Sequence, residues 1–324
     1  MDLASRSSPR APARLPFTAP WLLAPMEGVT EPCYRDLVLR RNPADALGGA
    51  FTEFVRVSVA SIPRAVISRH LGPSRFAQPV GVQLMGNDLE HLARTACNAV
   101  AAGAPLIDLN FGCPAKGAIA GCAGSALLRD PRAIERVVRS VADAVEVPVT
   151  AKMRAGFDDA SRVEELARAA EQGGAALLTV HCRTRAEAYC ESVEWSRIAR
   201  AAAAVSIPVC GNGGIATHAD LERMRSETGA RFAMVWRGAL ADPWIFSGCT
   251  VSRGTAARFL VEYAETMRAR HQWPAGGIAA RIKQLLRYWT AGGLVPDAAT
   301  RTAWLRERDG AVLLGRLEVI AREP

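Results

Sequence analysis

Short, consecutively apolar runs alternate with amphipathic segments between residues 21 and 250. Such runs are typical of strands buried on both faces of a parallel sheet. Eight occur, at 21–24, 50–54, 79–84, 106–110, 148–153, 176–181, 207–211 and 232–236. Helix-start signals lie between them, such as Asp130-Pro131 before a helix predicted to end near Val145, and Ser161 with Glu164 before one predicted to end at Gln172. Eight β/α units in about 230 residues predict an α/β fold, a closed (β/α)8 TIM barrel.

A doubly wound sheet is the alternative, but no Gly-x-Gly-x-x-Gly follows the first run. From residue 251 the pattern is helical throughout, with helices predicted near 254–270, 276–291, 296–307 and 310–321. We therefore predict a barrel over 21–250, followed by a small all-α helical bundle over 251–324. The bundle carries a net charge of +5, and residues 21–250 carry only +1. This asymmetry favours a polyanionic partner, although a solvated helical face is also consistent with it.

The N-terminal composition, the length of the apolar runs and the cysteine spacing argue against several classes of protein. Residues 1–20 are rich in Ala, Pro, Ser and Arg and are expected to form a disordered leader; an organellar transit peptide is disfavoured by Asp2 and the prolines. No apolar run reaches 18 residues, so no membrane partner is expected. The eight cysteines include no Cys-x-x-Cys pair, which argues against a metal site and fits a reducing compartment. A soluble, cytoplasmic monomer is expected.

Polar residues close each apolar run, where a barrel carries its active site. They lie in Pro25–Gly28, Thr52-Glu53, Gln83, Asn110 with Cys113, Lys152 with Arg154, His181 with Arg183, Asn212–Gly214 and Arg237-Gly238. These amides, cations and imidazole can hydrogen-bond a planar polar ring, and the late glycine-rich turns favour phosphate. The combination suits a phosphorylated flavin. Each residue also has a structural interpretation: His181 as a core histidine, Arg237 as an ion-pair partner, Cys113 as a small buried hydrophobe.

Several stretches resemble the motifs of the tRNA-dihydrouridine synthases, in order from residue 21 to about 290. They are Leu23–Val29, Thr52–Val57, Val82–Gly86, Asn110–Lys116 with Gly124–Leu128, Ala151–Arg154, Val180–Thr184, Gly211–Gly213 and Ala280–Gln284. The second and last resemble a branch of the family that acts on uridine 16 of the tRNA D loop. The resemblance implies an FMN-binding barrel, a helical tRNA-binding domain and NADPH as reductant.

It also implies residue roles. Hydride passes from N5 of reduced flavin to C6 of uracil, and Cys113 donates the proton to C5; a thiol is mostly protonated at neutral pH yet acidic enough to donate. Implied flavin contacts are Pro25, Met26, Glu27, Gln83, Lys152, His181, Asn212, Gly213, Gly214, Trp236, Arg237 and Gly238. Implied substrate and tRNA contacts are Arg56, Asn110, Arg183, Tyr189, Arg281, Lys283 and Arg287. Lys283 and Arg287 are like-charged i,i+4 neighbours, which an anion such as phosphate would stabilise.

The sequence departs from the family at Trp236, where a glycine is usual and where a bulky side chain could crowd the flavin phosphate. Cys182 also replaces a glycine, and Gly214 stands where the branch often has Glu. Three other functions stay open. They are a flavin barrel oxidoreductase acting on a free small molecule such as dihydroorotate, which needs no basic bundle; a flavin-free tRNA-binding protein; and a tRNA chaperone independent of catalysis.

Overall fold

The structure is a computed structural model, and it describes residues 14–188 and 193–324. Nine parallel β-strands are present in these residues: β1 Trp21–Leu23, β2 Leu47–Phe51, β3 Val55–Arg56, β4 Val80–Met85, β5 Ile107–Phe111, β6 Val149–Arg154, β7 Leu177–His181, β8 Val209–Asn212 and β9 Phe232–Val235. β1 pairs with both β2 and β9, so the sheet closes. β2 and β3 both pair with β4 and together form one barrel strand that is interrupted at 52–54. The predicted TIM barrel is therefore confirmed.

In the part of the chain that the structure describes, nine helices surround or cap the barrel: α1 Pro32–Arg41, α2 Arg64–Leu71, α3 Leu89–Ala101, α4 Lys116–Ala120, α5 Pro131–Ala142, α6 Val163–Gln172, α7 Ser196–Ala204, α8 His218–Thr228 and α9 Arg237–Ala241. Four more follow within the described residues: α10 Arg253–His271, α11 Ala275–Leu286, α12 Ala298–Arg306 and α13 Gly310–Ile320. Short 3₁₀ turns occupy Gly124–Arg129 and Ala291–Gly293. All four helices predicted after residue 251 are present.

Helix starts follow local chemistry. Asp130 caps α5 by accepting a hydrogen bond from the Arg132 backbone N–H at 3.0 Å, with Pro131 at the first helical position, as predicted. The predicted capping role of Ser161 is wrong, because α6 begins two residues later and the Ser161 N–H and hydroxyl bond instead to Asp159. The loop before α6 therefore satisfies its own polar groups.

The lower part of the barrel interior is filled by apolar side chains, and the chain's N-terminal segment closes it. Phe17 packs against Phe51 and Phe232, with ring centroids 6.0 and 5.6 Å apart, and the Thr18 N–H bonds to the Gly48 carbonyl at 3.1 Å. Residues 14–20 therefore belong to the fold, which corrects the predicted disordered leader over 1–20; residues 1–13 lie outside the described part of the chain.

The C-terminal helices share a core with the barrel. Tyr34 of α1 meets Phe259 and Tyr263 of α10 edge-on, at 6.0 and 5.9 Å between ring centroids, and its hydroxyl donates to the Ala239 carbonyl at 2.6 Å. Trp289, after α11, packs on the same Phe259 ring. This contact fixes the helices over one rim of the barrel. Among the described residues, no helix is long and apolar enough to cross a membrane.

Candidate active site

A cleft opens at the C-terminal ends of the barrel strands. It consists of two cavities of about 500 and 490 Å³, which share His181, Asn212, Trp236 and Tyr288. All twelve residues predicted to contact flavin line it. The first cavity holds Pro25, Met26, Glu27, Gln83 and Lys152, and the second holds Gly213, Gly214, Arg237 and Gly238. The cleft therefore consists of two connected regions, which meet at the four shared residues.

Strand register explains this convergence. Neighbouring positions on parallel strands face the same direction when they are paired. Asn110 pairs with Lys152, Arg154 with His181, and His181 with Asn212. Residues widely separated in sequence thereby form a ring around the barrel mouth.

A buried hydrogen-bond chain lies beneath the first cavity. The Thr150 hydroxyl donates to Asp108 Oδ1 at 2.6 Å, and Gln83 Nε2 donates to Asp108 Oδ2 at 2.6 Å. Asn110 Nδ2 then donates to Gln83 Oε1 at 2.8 Å. Burial raises the pKa of Asp108 to about 6, although hydrogen bonds from Thr150 and Gln83 and the charge of Lys152 oppose the rise. This hydrogen-bond chain fixes the orientation of the Gln83 side-chain amide, with its nitrogen towards Asp108 and its oxygen towards Asn110.

The same chain positions Cys113. Asn110 Oδ1 accepts hydrogen bonds from the backbone N–H groups of Gly112 and Cys113, both at 2.9 Å, and the Cys113 carbonyl accepts from Ser125 N at 3.1 Å. Gly124 has φ +60°, and a Cβ there would lie 3.1 Å from Cys113 Cβ. Burial raises the pKa of the half-buried Cys113 thiol. The thiol is therefore held at the cavity wall in its protonated form.

Lys152 is the half-buried cation of the first cavity. Burial, with repulsion from Arg154, lowers the pKa of Lys152 to about 8, while Asp108 opposes the shift. Arg154 joins two loops, since its Nε donates to the Gly112 carbonyl and its Nη1 to the carbonyls of Thr184 and Ala188, each at 3.0 Å. Lys152 thus supplies an adaptable charge, and Arg154 supports the framework.

The second cavity is surrounded by positive charge. Burial and the charges of Lys152, Arg154, Arg183 and Arg237 lower the pKa of His181 well below its ordinary value. His181 Nδ1 accepts from the Arg183 N–H at 3.2 Å, so the neutral ring carries its proton on Nε2. The Arg183 side chain is buried, and its Nε and Nη1 have no hydrogen-bond partner among the described residues. A phosphate group would satisfy both.

Glycine keeps this region open. Gly213 has φ +100°, and a Cβ there would lie 2.8 Å from Cys182 Sγ and 3.2 Å from the His181 ring. Trp236, the departure expected to crowd the phosphate, is half-buried and lines both cavities, and the guanidinium of Arg237 lies 5.9 Å from its ring centroid. Trp236 therefore forms a wall between the two regions and leaves both volumes open.

Some of the predicted substrate and tRNA contacts bond within the protein, and others line the cleft. Arg56 and Arg281 bond within the protein, to the carbonyls of Gly117 and Gly28. Asn110 and Arg287 line the first cavity and Arg183 the second, whereas Tyr189 lies outside the described residues. Lys283 Nζ donates to the Glu307 carbonyl at the C-terminus of α12. This carbonyl already accommodates the charge of Lys283, so the repulsion argument for a required external anion does not hold.

Sequence reasoning missed four residues. Asp108 lies inside the apolar run before Asn110, and its inward-facing position two residues earlier was the available signal. Phe54, Gln284 and Tyr288 also line the first cavity. Tyr288, which is 40% exposed, could be found only by docking the C-terminal helices over the barrel. Together with Trp236, Phe54 and Tyr288 therefore give three aromatic side chains in the lining of the cavity that holds Cys113.

Comparison with known proteins decides the family. The family model described as "Dihydrouridine synthase (Dus)" matches residues 22–306. The chain belongs to the dihydrouridine synthase family. A tRNA-dihydrouridine(16) synthase of Cupriavidus necator is 43% identical over 231 residues, covering 69% of this chain and 71% of that protein. One from Ralstonia nicotianae is 36% identical over 321 residues, covering 92% and 94%, and one from Haemophilus influenzae is 38% identical over 285 residues, covering 82% and 89%.

Membership in the dihydrouridine synthase family makes this protein a flavin-using oxidoreductase that reduces uridine in tRNA to dihydrouridine. The cleft fits that chemistry. Its first region presents a thiol, a lysine and an oriented amide, and its second region has a buried arginine, two of whose donor atoms have no hydrogen-bond partner among the described residues. The expected flavin barrel and tRNA substrate are thereby confirmed.

Proposed function

We propose that this protein reduces uridine 16 of the tRNA D loop, with FMN as its flavin and NADPH as the reductant of that flavin. The names of the relatives from Cupriavidus necator and Ralstonia nicotianae support the position. The observation that carries the choice of FMN is the orphaned Arg183 guanidinium in the second cavity, because a monophosphate there would accept hydrogen bonds from Nε and Nη1. His181 Nε2–H and the open backbone at Gly213 complete that end of the site.

The first cavity would hold the isoalloxazine ring and the uracil. When bound there, the flavin would supply a hydride to C6 of the uracil. Lys152 lies where it can stabilise negative charge on the ring, and Gln83 can donate its remaining Nε2 hydrogen because Asp108 and Asn110 fix the rest of its amide. The Cys113 thiol gives its proton to C5, and burial keeps that thiol protonated until then.

The tRNA would lie against the C-terminal helices. Gln284, Arg287 and Tyr288 come from this region and line the first cavity beside Cys113, so one surface contacts both the reacting base and its surroundings. The uridine must leave its stack, at a cost of a few kcal/mol. Tyr288 and Phe54 offer aromatic faces for unstacked bases, and Arg287 offers a charge for phosphate. We propose this region, residues 251–324, as the tRNA-binding domain.

The test maps dihydrouridine in tRNA from cells that lack this gene and carry either the wild-type protein or Cys113→Ala. Wild-type protein should restore dihydrouridine at position 16, and Cys113→Ala should not. A matched substrate control replaces uridine 16 by cytidine in a transcript that keeps every other D-loop uridine; the purified protein should leave that transcript unreduced. Dihydrouridine at another position, or reduction of free pyrimidines at a comparable rate, would contradict the proposal. Monomeric state and cytoplasmic location stay predictions.

A further inference from the structure

Three metal-binding side chains meet away from the cleft, between the barrel and the C-terminal helices. Glu31 precedes α1, Cys33 lies in its first turn, and His271 is the last residue of α10. His271 Nε2 is 2.8 Å from Glu31 Oε2 and 3.8 Å from Cys33 Sγ, and the three donor atoms all lie within 4.8 Å of one another. The thiol and carboxylate therefore converge on a single ring nitrogen.

This convergence excludes a nucleophilic triad. In such a triad, the carboxylate orients the imidazole through one nitrogen while the thiol bonds to the other. Here both groups approach Nε2, so Glu31 cannot orient the ring through one nitrogen while the other takes the proton of the Cys33 thiol. Burial and the neighbouring Glu31 raise the pKa of Cys33 to about 12, so the thiol is also a poor nucleophile.

An ordinary ion pair between Glu31 and His271 also leaves the arrangement incomplete. The second carboxylate oxygen, Glu31 Oε1, is buried and has no hydrogen-bond partner in the described part of the chain. Glu31 gives α1 no side-chain cap, although it occupies the capping position. A buried acceptor without a partner is costly, and a water molecule or an ion beside the carboxylate would satisfy it.

We propose that Glu31, Cys33 and His271 bind a Zn²⁺ ion. Thiolate, imidazole and carboxylate are the donors that zinc accepts, and three protein ligands leave one position for water. Two ligands on a tetrahedral zinc, a sulfur at about 2.3 Å and a nitrogen at about 2.0 Å, are roughly 3.6 Å apart. The observed distance of 3.8 Å between Sγ and Nε2 is close to this value. The distance of 2.8 Å between Nε2 and Oε2 is shorter than two ligands of one zinc ion require, so these two atoms must move apart by about 0.5 Å when the ion binds.

The surroundings suit entry and orientation of the ion. The His271 side chain is 28% exposed, which provides a path from solvent. Its ring stacks on Trp273, with centroids 4.8 Å apart and planes 23° from parallel, so its direction is fixed before an ion binds. Spacing along the sequence predicted no metal site, and this proposal departs from that prediction because Glu31 and His271 are joined only by the fold.

The ion would strengthen the docking of the C-terminal helices on the barrel. Glu31 directly follows the turn in which the Met26 N–H bonds to Thr30 Oγ1 at 2.7 Å, and this turn lines the first cavity. Arg281 of α11 already bonds to the Gly28 carbonyl of the same turn. The contact between His271 and Glu31 is a second link from the helices to this segment, and an ion shared with Cys33 would strengthen it, so zinc should raise the melting temperature by mass action.

The test titrates Zn²⁺, and Co²⁺ as a spectroscopic probe, into the metal-free full-length protein. We expect one ion per chain, a thiolate-to-cobalt charge-transfer band, and a higher melting temperature with Zn²⁺. Cys33→Ser should lose the band. His271→Gln should weaken affinity by at least about 10-fold, since even groups that only support a metal ligand are worth 10- to 100-fold.

The control is a triple variant, Cys97→Ser/Cys122→Ser/Cys249→Ser, because these three cysteines are exposed and could bind metal adventitiously. It should bind and absorb as the wild type does. No uptake by the wild-type protein, or uptake that survives both Cys33→Ser and His271→Gln, would overturn the proposal, as would loss of the band in the triple variant alone. Circular dichroism of the metal-free proteins checks that each variant folds. If Cys33→Ser does not fold, the metal affinity of His271→Gln tests the proposal, because His271 lies at a partly exposed helix end.

Discussion

Replacing Asp108 by asparagine tests the buried chain beneath the cavity. Burial raises the pKa of Asp108 from 3.8 to about 6, so the native protein binds this proton more tightly than the unfolded chain does. The stability that follows from the raised pKa is fully present below the unfolded value of 3.8, and it is lost as pH rises through about 6. The Asp108→Asn protein has no carboxyl group to ionise at this position, so its stability does not fall in this way as pH rises.

The size of the effect follows from the shift. Roughly two pKa units correspond to about 3 kcal/mol, of which about 1.4 kcal/mol is lost between pH 5 and pH 7.5. Asparagine can keep the hydrogen bonds. Its Oδ1 accepts from Gln83 Nε2, and its Nδ2 donates to Thr150, whose hydroxyl turns to the Ile107 carbonyl 3.4 Å away. The variant should therefore gain about 1.4 kcal/mol on the wild type over this range.

The assay is urea unfolding followed by tryptophan fluorescence at several pH values between 5 and 7.5. The quantity of interest is the difference in unfolding free energy between Asp108→Asn and the wild type. Asp158→Asn is a matched control, since Asp158 is exposed and its difference should stay flat. A flat difference for Asp108→Asn as well would mean that Lys152 and the hydrogen bonds outweigh burial and keep the carboxylate ionised in the native protein.

Three further predictions concern the cleft. Cys113→Ala should keep its flavin but reduce tRNA about 10²- to 10⁴-fold more slowly, and an unchanged rate in the variant would remove Cys113 from the proton step. Loss of the wild-type rate through ionisation of the thiol should appear only above the ordinary thiol pKa of 9.0, separately from any loss near 8 as Lys152 gives up its charge. Arg183→Met should weaken FMN binding by about 10- to 100-fold and leave riboflavin binding unchanged, and equal losses would place the phosphate elsewhere. Arg287→Ala should lower tRNA affinity and reduce its salt-dependence slope by about one at most, whereas Arg139→Ala, at the opposite barrel end, should change neither.

The sequence predicted the barrel because its strands are apolar on both faces, and a run of this kind is visible without tertiary information. The second strand shows where this method fails. It was predicted from Ala50, but β2 begins at Leu47 and includes Gly48 and Gly49. A Cβ at Gly48 would lie 1.9 Å from the Ala19 carbonyl oxygen, so this strand needs a glycine where the N-terminal segment crosses it. Local propensity alone predicts a turn at the same glycine.

Residues that close strands could be predicted as one site, because barrel geometry alone brings strand ends together. Residues that depend on packing between distant elements could not. Tyr288 reaches the cleft only because α11 docks over the barrel, and Lys283 finds its partner on α12. The Glu31, Cys33 and His271 cluster spans 240 residues of sequence. These features require the packing of α1 against α10, which the hydrophobic pattern does not specify.

The charges of the cleft tie its two regions together. Lys152, Arg154, Arg183 and Arg237 all lower the pKa of His181, so the ring stays neutral among four cations. A neutral imidazole can donate one hydrogen bond without adding a fifth charge, and the four cations are left to bind the phosphate of the proposed FMN. Asp108 is the buried acidic group that opposes the charge of Lys152, and its hydrogen bonds through Gln83 and Asn110 also hold the backbone of Cys113. One hydrogen-bond chain thus sets both the charge in the first cavity and the position of Cys113, the proposed proton donor, so a change at Asp108 should alter cofactor affinity and turnover together.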